Sequence, residues 1–370
     1  MSEGRRLRGN AAGRSVATFL NACALALVLS PAAAGQAVLK VDENVSIRFG
    51  FSFQGWADWA QDAVSGGYAQ NLFIRRASLY VGAQLAPNVT FFLRTDDSNL
   101  GKAPKDLGTG FFIEDGYLEW EVADSFLLDG GLILIPLCRN CLEYSVRLLT
   151  LDFGSFSFLS NSVTQSSVAR DTGFQAKGYL AGDHLEYRIG LFQGLREPGS
   201  RNSFRSAGRL QYNFFETERG EFYTGTYLGT KKILAIGAGY DLQGDYRAFA
   251  GDLFLDLPVG RGNGLTGEFD FLRWDGGSTF PTLLKQNDLL VQGGYYVSAV
   301  KLLPWGRWES QSYADAGSPS KDQQKIQFGL TWYPEAHSFN IRAAWGRVLP
   351  RADGVPATNQ FTVQIQVFYF

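Results

Sequence analysis

The sequence predicts an all-β protein, a transmembrane antiparallel β-barrel of about 16 strands, from three observations. Apolar and polar residues alternate in short segments along almost the whole chain, which places them on opposite faces of β-strands. Short and long connections alternate between these segments, as they do in bacterial outer-membrane barrels. The chain also contains 29 Phe, 16 Tyr and 43 Gly but only 19% charged residues. Its mean hydropathy of −0.10 excludes a bundle of membrane helices, which needs repeated apolar runs of about 20 residues.

The first segment, residues 1–37, has the features of a secretory signal peptide. Arg5, Arg6 and Arg8 give a basic start, residues 16–29 form a mostly apolar core, and the small residues Ala32 to Ala34 follow. Cleavage after Ala34 and cleavage after Ala37 both agree with this pattern. We therefore expect an exported protein with a barrel domain over residues 38–370, located in the outer membrane of a Gram-negative bacterium.

Loss of the signal changes the charge balance of the chain. Without residues 1–34, 30 basic and 35 acidic residues remain, so the net charge falls from −2 to −5. Proteins that bind nucleic acid usually carry a basic excess on one face. Nucleic acid is therefore not an expected partner.

The alternation is clearest in residues 45–53, where every odd position is apolar and every even position is Ser, Arg or Gly. The same pattern recurs in residues 185–191, 326–332 and 361–367. A soluble β-sandwich also alternates, but its apolar face is a core and its polar face is the outside. Here the apolar face is large and aromatic in nearly every segment, and the other face carries Arg, Glu and Gln. An apolar exterior around a polar interior favours a membrane barrel.

We count about sixteen such segments, each near the roughly ten residues of a membrane strand. They begin near Val45, Leu72, Asn88, Phe112, Phe126, Asp171, His184, Phe204, Lys232, Tyr246, Asn263, Asn287, Val300, Gln323, Ser338 and Gln360. Among the connections, residues 136–170 form the longest predicted loop. Between residues 215 and 245 the order is irregular, since a long connection stands where a short one is expected.

The chain ends in an aromatic strand, Phe368-Tyr-Phe370. A terminal Phe on a final strand resembles the signal that the outer-membrane assembly machinery reads, so this machinery is an expected partner through Phe370. Counting back from Phe370 in steps of two reaches Phe368 but then the polar Gln366. A bulge near Phe368 is the predicted explanation.

Cysteine and histidine are the two residue types in this sequence that are candidates for sites of chemistry. Cys138 and Cys141 form a Cys-x-x-Cys pair at the start of the longest loop, which a small disulfide in an oxidising compartment explains, whereas a zinc site needs two further ligands. His184 and His337 lie beside short turns with no nucleophile near them in sequence, so we interpret them as structural. No metal, cofactor or catalytic residue is expected.

Strand parity divides the charged residues of the predicted interior. The inward basic positions, proposed as pore-lining and anion-binding, are Arg48, Arg76, Arg94, Lys177, Arg188, Arg205, Arg209, Lys325 and Arg342. The inward acidic positions include Asp96, Asp115, Glu119, Glu186, Glu268 and Asp270. Such charges set the electrostatic barrier of a pore, although any single Arg can instead form a salt bridge that supports the wall.

Several stretches resemble the phosphate-selective porin O/P family. Phe73-Ile-Arg-Arg-Ala-Ser-Leu-Tyr80 is similar to its RRARL strand, Ile113-Glu-Asp-Gly-Tyr-Leu-Glu119 to its I-x-DAYLEY strand, and Arg170-Asp-Thr-Gly-Phe-Gln175 to its RDxGVQ strand. Residues 130–136, 187–194 and 208–212 resemble its GQFKxPF, LGLFNG and GRxxY segments. The matches occur in order between about residues 45 and 370.

The resemblance implies a homotrimer of sixteen-stranded barrels whose third loop folds inward and narrows the pore. Residues 136–170 would be that loop, with Arg139, Arg147 and Arg170 as its cations and a disulfide between Cys138 and Cys141 at its root. Ile133 or Leu134 stands where the family has the Lys of GQFK, and Glu143 and Asp152 lie in the same loop. A general or weakly anion-selective porin therefore stands beside a phosphate-selective one.

We expect passive diffusion of small hydrophilic solutes, including anions such as phosphate, through a water-filled barrel in outer-membrane lipid. Two alternatives remain from other classes. A barrel enzyme of the protease or lipase type would need a nucleophile and a His facing each other on adjacent strands. A non-conducting barrel that serves adhesion or anchoring would have a plugged interior.

Overall fold

The computed structural model describes residues 37–196, 203–314 and 321–370. The chain divides into two units, Met1–Ala37 and Val38–Phe370. The predicted signal peptide lies outside the described residues, apart from Ala37, so the fold below is that of the second unit.

Among the described residues, seventeen strands form one sheet, and sixteen of them close into a ring. Each of β2 to β16 pairs antiparallel with the next strand, and β17 pairs with β2. The strands are β1 (Ala37–Lys40), β2 (Ser46–Gln61), β3 (Tyr68–Ala86), β4 (Val89–Leu100), β5 (Phe112–Ala123), β6 (Phe126–Leu134), β7 (Arg170–Leu180), β8 (Leu185–Phe192), β9 (Arg205–Asn213), β10 (Ile233–Gln243), β11 (Tyr246–Val259), β12 (Asn263–Asp275), β13 (Gln286–Tyr296), β14 (Leu302–Tyr313), β15 (Gln323–Glu335), β16 (Phe339–Pro350) and β17 (Thr358–Tyr369). The predicted fold class, a sixteen-stranded antiparallel barrel, is confirmed.

The faces of β2 illustrate how the sequence builds the wall. Phe49, Phe51 and Phe53 are exposed on the outside, whereas Ser52 and Gln54 are buried on the inside. Antiparallel pairing keeps this alternation in register with the neighbouring strands. The outer surface is therefore apolar and the inner surface polar.

The largest difference from the predicted strand starts is in β3, which begins at Tyr68 instead of near Leu72. The register between β2 and β3 shifts between Gln54 and Gly55, which leaves Arg75 as an extra residue. A bulge reverses the phase of the alternation beyond it. The alternation of the residues before Arg75 is therefore out of phase with the alternation of the residues after it, and the sequence pattern places the start of β3 too late.

The connections differ at the two ends of the barrel. At the short-turn end, for example, Pro87 and Asn88 join β3 to β4 and Asp124 and Ser125 join β5 to β6. The other end, which we call the long-loop end, carries the longer loops such as residues 101–111 between β4 and β5. Residues 214–232, between β9 and β10, are a long connection at the short-turn end, which explains the irregular order of the sequence there.

We call residues 135–169, between β6 and β7, the loop insert, and residues 214–232 the turn insert. The loop insert contains two helices of four residues each, α1 (Arg139–Leu142) and α2 (Asn161–Thr164). None of the helices among the described residues is long and apolar enough to cross a membrane.

The predicted bulge near Phe368 is wrong. β17 pairs with β16 and with β2 without a shift of register. Phe368 instead faces inward with Gln364 and Gln366, where it packs against Tyr80 and Tyr144. An aromatic cluster on the inner wall thus accepts an apolar residue at an inward position.

Candidate functional site

The loop insert reaches strands that are not its neighbours in the sheet. Gln54 of β2 donates to the carbonyl of Ser145 at 3.1 Å, and Arg342 of β16 donates to the carbonyl of Leu148 at 3.1 Å. Glu309 of β14 accepts from the backbone N–H of Ser155 at 2.5 Å. In the ring, β14 lies opposite β6, and β2 and β16 are separated from β6 by several strands, so these contacts pass through the space that the strands enclose.

The turn insert joins the loop insert through main-chain hydrogen bonds. The N–H of Tyr144 donates to the carbonyl of Tyr223 at 2.9 Å, and the N–H of Tyr223 donates to the carbonyl of Leu142 at 2.9 Å. Gly225 adds a bond to the carbonyl of Arg147 at 3.1 Å. Two connections from opposite ends of the barrel are therefore paired with each other.

Charged side chains hold the turn insert to its surroundings. The guanidinium of Arg139, on α1, donates to both carboxylate oxygens of Glu218 at 2.9 Å. Arg188 donates to the carbonyls of Gly220 and Glu221 at 2.9 and 3.0 Å. Bidentate and charge-assisted bonds of this kind are the strong ones in proteins.

Lys177 of β7 is the most heavily paired of these cations. Its ammonium lies 2.6 Å from Glu119, 3.1 Å from Asp129 and 3.0 Å from Glu221. The first two partners are on the wall, and the third is on the turn insert. Lys177 therefore ties the insert to two strands of the wall.

Burial extends around the whole ring. Each of the sixteen strands carries an inward polar side chain with an exposed fraction of 5% or less: Gln54, Ser78, Arg94, Asp115, Asp129, Lys177, Arg188, Arg209, Asp241, Asp252, Asp270, Gln292, Arg307, Thr331, Arg342 and Gln364. Side chains along a wide water-filled channel would be exposed. In this structure the inserts and the wall shield one another from water.

Most of the predicted pore-lining cations are paired. Arg94 lies 2.9 Å from Glu114 and 2.7 Å from Asp115. The other ion pairs in this group, with their shortest distances, are Arg76–Asp152 (2.6 Å), Arg188–Glu186 (2.6 Å), Arg205–Asp241 (2.6 Å) and Arg209–Asp252 (2.6 Å). Arg342 donates to main-chain carbonyls of the loop insert, including that of Thr150.

Two predicted cations are less enclosed. Lys325 is half-buried and donates to the hydroxyl of Ser155 at 3.0 Å. Arg48 is exposed near the short-turn end, with its guanidinium 4.5 Å from the centre of the Phe370 ring. These two side chains therefore lie closer to solvent than Arg94 or Arg342.

The three cations predicted for the constriction loop occupy different places. Arg139 is buried against Glu218, and Arg147 is half-buried with its guanidinium 5.9 Å from the centre of the Tyr144 ring. Arg170 is the first residue of β7 instead of a loop residue, because its main chain already pairs with Leu134 of β6. Its guanidinium lies 3.0 Å from Asp115.

Cys138 and Cys141 are joined by a disulfide, with 5.1 Å between their Cα atoms. Both residues are buried in an apolar cluster with Leu137, Tyr246 and Trp274. The start of the loop insert is thus fixed to β11 and β12 by apolar packing.

A cavity of about 350 Å³ opens towards the long-loop end. Four cations line it, Arg75, Arg76, Arg307 and Lys325, together with the carboxylates of Asp96, Glu114 and Asp152. Asp152 bridges two of the cations, 2.9 Å from Arg75 and 2.6 Å from Arg76. Burial alone raises the pKa of Asp152, but the two guanidiniums outweigh burial and hold that pKa below its ordinary value.

Sequence reasoning missed two of these cavity residues. Parity placed Arg75 on the outer face, and only the bulge brings it to Asp152 beside Arg76. Arg307 was overlooked because Leu303 and Trp305 share its parity and suggest an apolar outer face, although the polar run Arg307, Glu309 and Gln311 at alternate positions was a usable signal for the inner face. Its guanidinium donates to the carbonyl of Phe153 at 2.9 Å.

Acidic side chains that do not line this cavity also meet in the interior. Glu143, on the loop insert, lies against Glu268 and near Asp270 of β12. Burial raises the pKa of Glu143 well above its ordinary value, and the neighbouring Glu268 raises it further. Within residues 37–196, 203–314 and 321–370, no group of His, Cys, Asp or Glu side chains is arranged to hold a metal ion.

The two histidines bond to main-chain carbonyls. A ring nitrogen of His184 lies 2.6 Å from the carbonyl oxygen of Asn213, and one of His337 lies 3.0 Å from that of Thr226. Burial and the nearby Arg147 and Arg342 lower the pKa of His337 to about 3. His337 thus contacts the turn insert from the connection between β15 and β16.

The sequence matches no protein-family model and no curated protein. The fold, in contrast, has solved counterparts. It is similar to an anion-selective porin from Comamonas acidovorans, with a TM-score of 0.58 and 13% identity over 88% of this chain and 99% of that chain. It is also similar to the outer membrane channel DcaP of Acinetobacter baumannii, with a TM-score of 0.56 and 9% identity over 90% of this chain and 99% of that chain.

A third similar structure is OmpT, an outer membrane protein of Vibrio cholerae in its trimer form. Its TM-score is 0.53, with 11% identity over 88% of this chain and 100% of that chain. At such identities the similarity concerns the fold alone. The chain has the fold of outer-membrane porins.

Proposed function

We propose that this protein is an outer-membrane channel of a Gram-negative bacterium through which small hydrophilic solutes diffuse passively. The observation that carries the proposal is the closed ring with an apolar outer face and a polar inner face. Closure leaves no unpaired strand edge in lipid, and a polar interior suits water and solutes. The porin fold of similar structures supports the same function.

The proposal extends to a preference for anions such as phosphate. The cavity at the long-loop end supports it, because four cations and three carboxylates line that cavity. The resemblance of the sequence to the phosphate-selective porin O/P family points the same way. The acidic region around Glu143 and Glu268 favours the weaker form of the proposal, a general porin with a small bias towards anions.

Assembly and export form a further part of the proposal. A homotrimer in outer-membrane lipid is expected from the family resemblance, and a similar structure carries the description of a trimer form. Residues 1–37 would direct export, and Phe370 would be read by the barrel-assembly machinery.

Planar-bilayer conductance of the purified protein tests the channel. We expect discrete channel events and, in asymmetric KCl, a reversal potential that indicates anion preference. An absence of channel events under all conditions would contradict the channel function. Preference for cations would contradict the anion bias and leave the channel intact.

A second candidate function is a non-conducting barrel. The burial of inward polar side chains on all sixteen strands favours it. The same conductance measurement separates the two, since a permanently plugged barrel carries no current. A barrel enzyme has less support, because His184 and His337 contact main-chain carbonyls.

A further inference from the structure

We propose that this structure is the closed state of a gated channel and that the turn insert, residues 214–232, is its gate. The inference rests on the proposed channel function and goes beyond it, because it assigns a closing element. Three features of the interior carry it: the position of the insert, the nature of its contacts, and the burial of the wall around it.

The position of the insert is unusual for this barrel. Other connections at the short-turn end are brief, whereas residues 214–232 leave the wall, enter the interior and return. Their main chain pairs with residues 142–147 of the loop insert. Gly225 permits this close approach, because a Cβ at that position would collide with the backbone of Arg147 and Leu149.

The insert is held by ion pairs and hydrogen bonds and also by apolar contacts, since Tyr223 and Leu228 are buried in apolar clusters of the interior. Glu218 pairs with Arg139, Glu221 with Lys177, and the hydroxyl of Thr226 with that of Thr266 on β12 at 3.0 Å. A buried ion pair gains little free energy over the same two charges in water, because desolvation offsets their attraction. Withdrawal of the insert into water therefore costs little free energy at the ion pairs, and the apolar contacts of Tyr223 and Leu228 bias the equilibrium towards the closed state.

The loop insert is buried more completely than the turn insert. Leu137, Cys138 and Cys141 pack in an apolar cluster with Tyr246 and Trp274 of the wall. Exposure of such a cluster to water is costly, at roughly 25 cal/mol per Å² of apolar surface. Most residues of the loop insert are buried, whereas fewer than half of those of the turn insert are. The turn insert would therefore expose less buried surface if it moved, and it is the one to which we assign the movement.

Withdrawal of the turn insert would uncover charged wall residues. Lys177, Arg188 and Asp256 are buried beside it, and each lies on an inward face. Once uncovered, they would line a wet passage between the cavity at the long-loop end and the short-turn end. In the closed state these three side chains are buried and do not contact water.

A reversible cross-link tests the gate. The substitutions Thr226→Cys and Thr266→Cys replace two hydroxyls that already touch, so that a disulfide would lock the insert to β12. We expect the oxidised double variant to have an open probability at least tenfold lower than the reduced one. Wild-type protein treated with the same reductant is the control, since it contains the Cys138–Cys141 disulfide.

A second variant loosens the gate without a cross-link. Glu218→Gln removes the charge that pairs with Arg139, and we expect the open probability to rise at least tenfold. Asp275→Asn breaks an exposed pair with Lys285 at the long-loop end and should leave open probability within twofold of wild type. Each variant is first shown to be folded by its heat-dependent gel mobility.

The outcomes separate the gate from the channel. Equal currents through the oxidised and reduced double variant, or a wild-type channel that is always open, would overturn the gate and leave the channel function intact. Absence of current from wild type, Glu218→Gln and the reduced double variant alike would overturn the channel function itself.

Discussion

Lys325 combines a positive charge with access to solvent at the cavity near the long-loop end. Its ammonium has one hydrogen bond, to Ser155, among the contacts that the described residues provide. Arg94, by comparison, is enclosed by Glu114 and Asp115. Two inward cations can thus differ in function, because only an accessible charge meets a passing ion.

We predict that Lys325→Glu shifts the reversal potential towards cations. The substitution changes the charge of the cavity wall by two units where solutes enter, which alters the local electrostatic barrier. Reversal potentials in asymmetric KCl measure the effect. Lys105→Glu, which makes the same charge change on an exposed loop at the same end, should leave the potential nearly unchanged. Equal shifts of the reversal potential in both variants would show that the cavity does not determine ion selectivity.

Lys177→Met should destabilise the barrel strongly. Removing the ammonium leaves Glu119, Asp129 and Glu221 close together without their cation, and breaking a buried pair in this way costs about 3–5 kcal/mol. Urea unfolding in detergent, followed by tryptophan fluorescence, measures the loss. Arg219→Gln removes an exposed partner of Asp124 and should cost at most about 1 kcal/mol. Similar losses of unfolding free energy in both variants would mean that burial of an ion pair does not determine the cost of breaking it.

The sequence predicts residues of the interior only in part, and the reason is physical. Alternation along a strand is local, so it is visible in the sequence. Partners are not local: Arg188 is bonded to Gly220 and Glu221 of the turn insert, and Arg209 to Asp252 two strands away. Which cations are neutralised therefore depends on the folded inserts and on the neighbouring strands of the wall.

At the scale of elements, the inserts depend on a wall that leaves them room. Gly239 on the inner face of β10 faces the backbone of Leu137, and a Cβ there would collide with the Leu137 carbonyl. Gly251 on β11 differs, because a Cβ at residue 251 would have no atom within 4 Å. The two glycines thus form a matched pair for testing how closely the loop insert packs on the wall.

Gly239→Ala should displace the start of the loop insert and lower stability by about 1–3 kcal/mol, the usual cost of overpacking. Gly251→Ala is the control, with an expected change of roughly 0.5 kcal/mol or less. Unfolding midpoints in urea compare the two variants. A smaller loss for Gly239→Ala than for Gly251→Ala would contradict the close packing.

The strands of the ring are more predictable from the sequence than the two inserts that lie inside the ring. The sixteen strands of the ring follow from alternation, with turns between them. Neither insert alternates, and the bulge at Arg75 reverses a phase without leaving a sequence signal. These elements are positioned by contacts with distant strands, so a local pattern does not reveal them.

At the scale of the whole molecule, a wall of exposed aromatic and aliphatic side chains requires a partner surface. Phe174, Leu191 and Ile189 are more than half exposed on the outside of the barrel. Lipid covers such a surface, and so does a second copy of the chain. The proposed homotrimer divides the outer face between these two partners.

We predict that the protein in mild detergent has the mass of three copies. Light scattering corrected for bound detergent measures that mass. A mass of one copy at all protein concentrations would contradict the trimer, while leaving the barrel and its channel function as proposed.

The pairing of β17 with β2 has a consequence for how the protein matures. These strands are far apart in the sequence, so the pairing between them forms only after the intervening strands have been synthesised and exported. Contacts of high sequence separation form slowly, and an unsealed barrel presents two bare strand edges to other chains. We therefore expect a chain that lacks β17 to aggregate before it reaches the membrane and to be degraded by the cell.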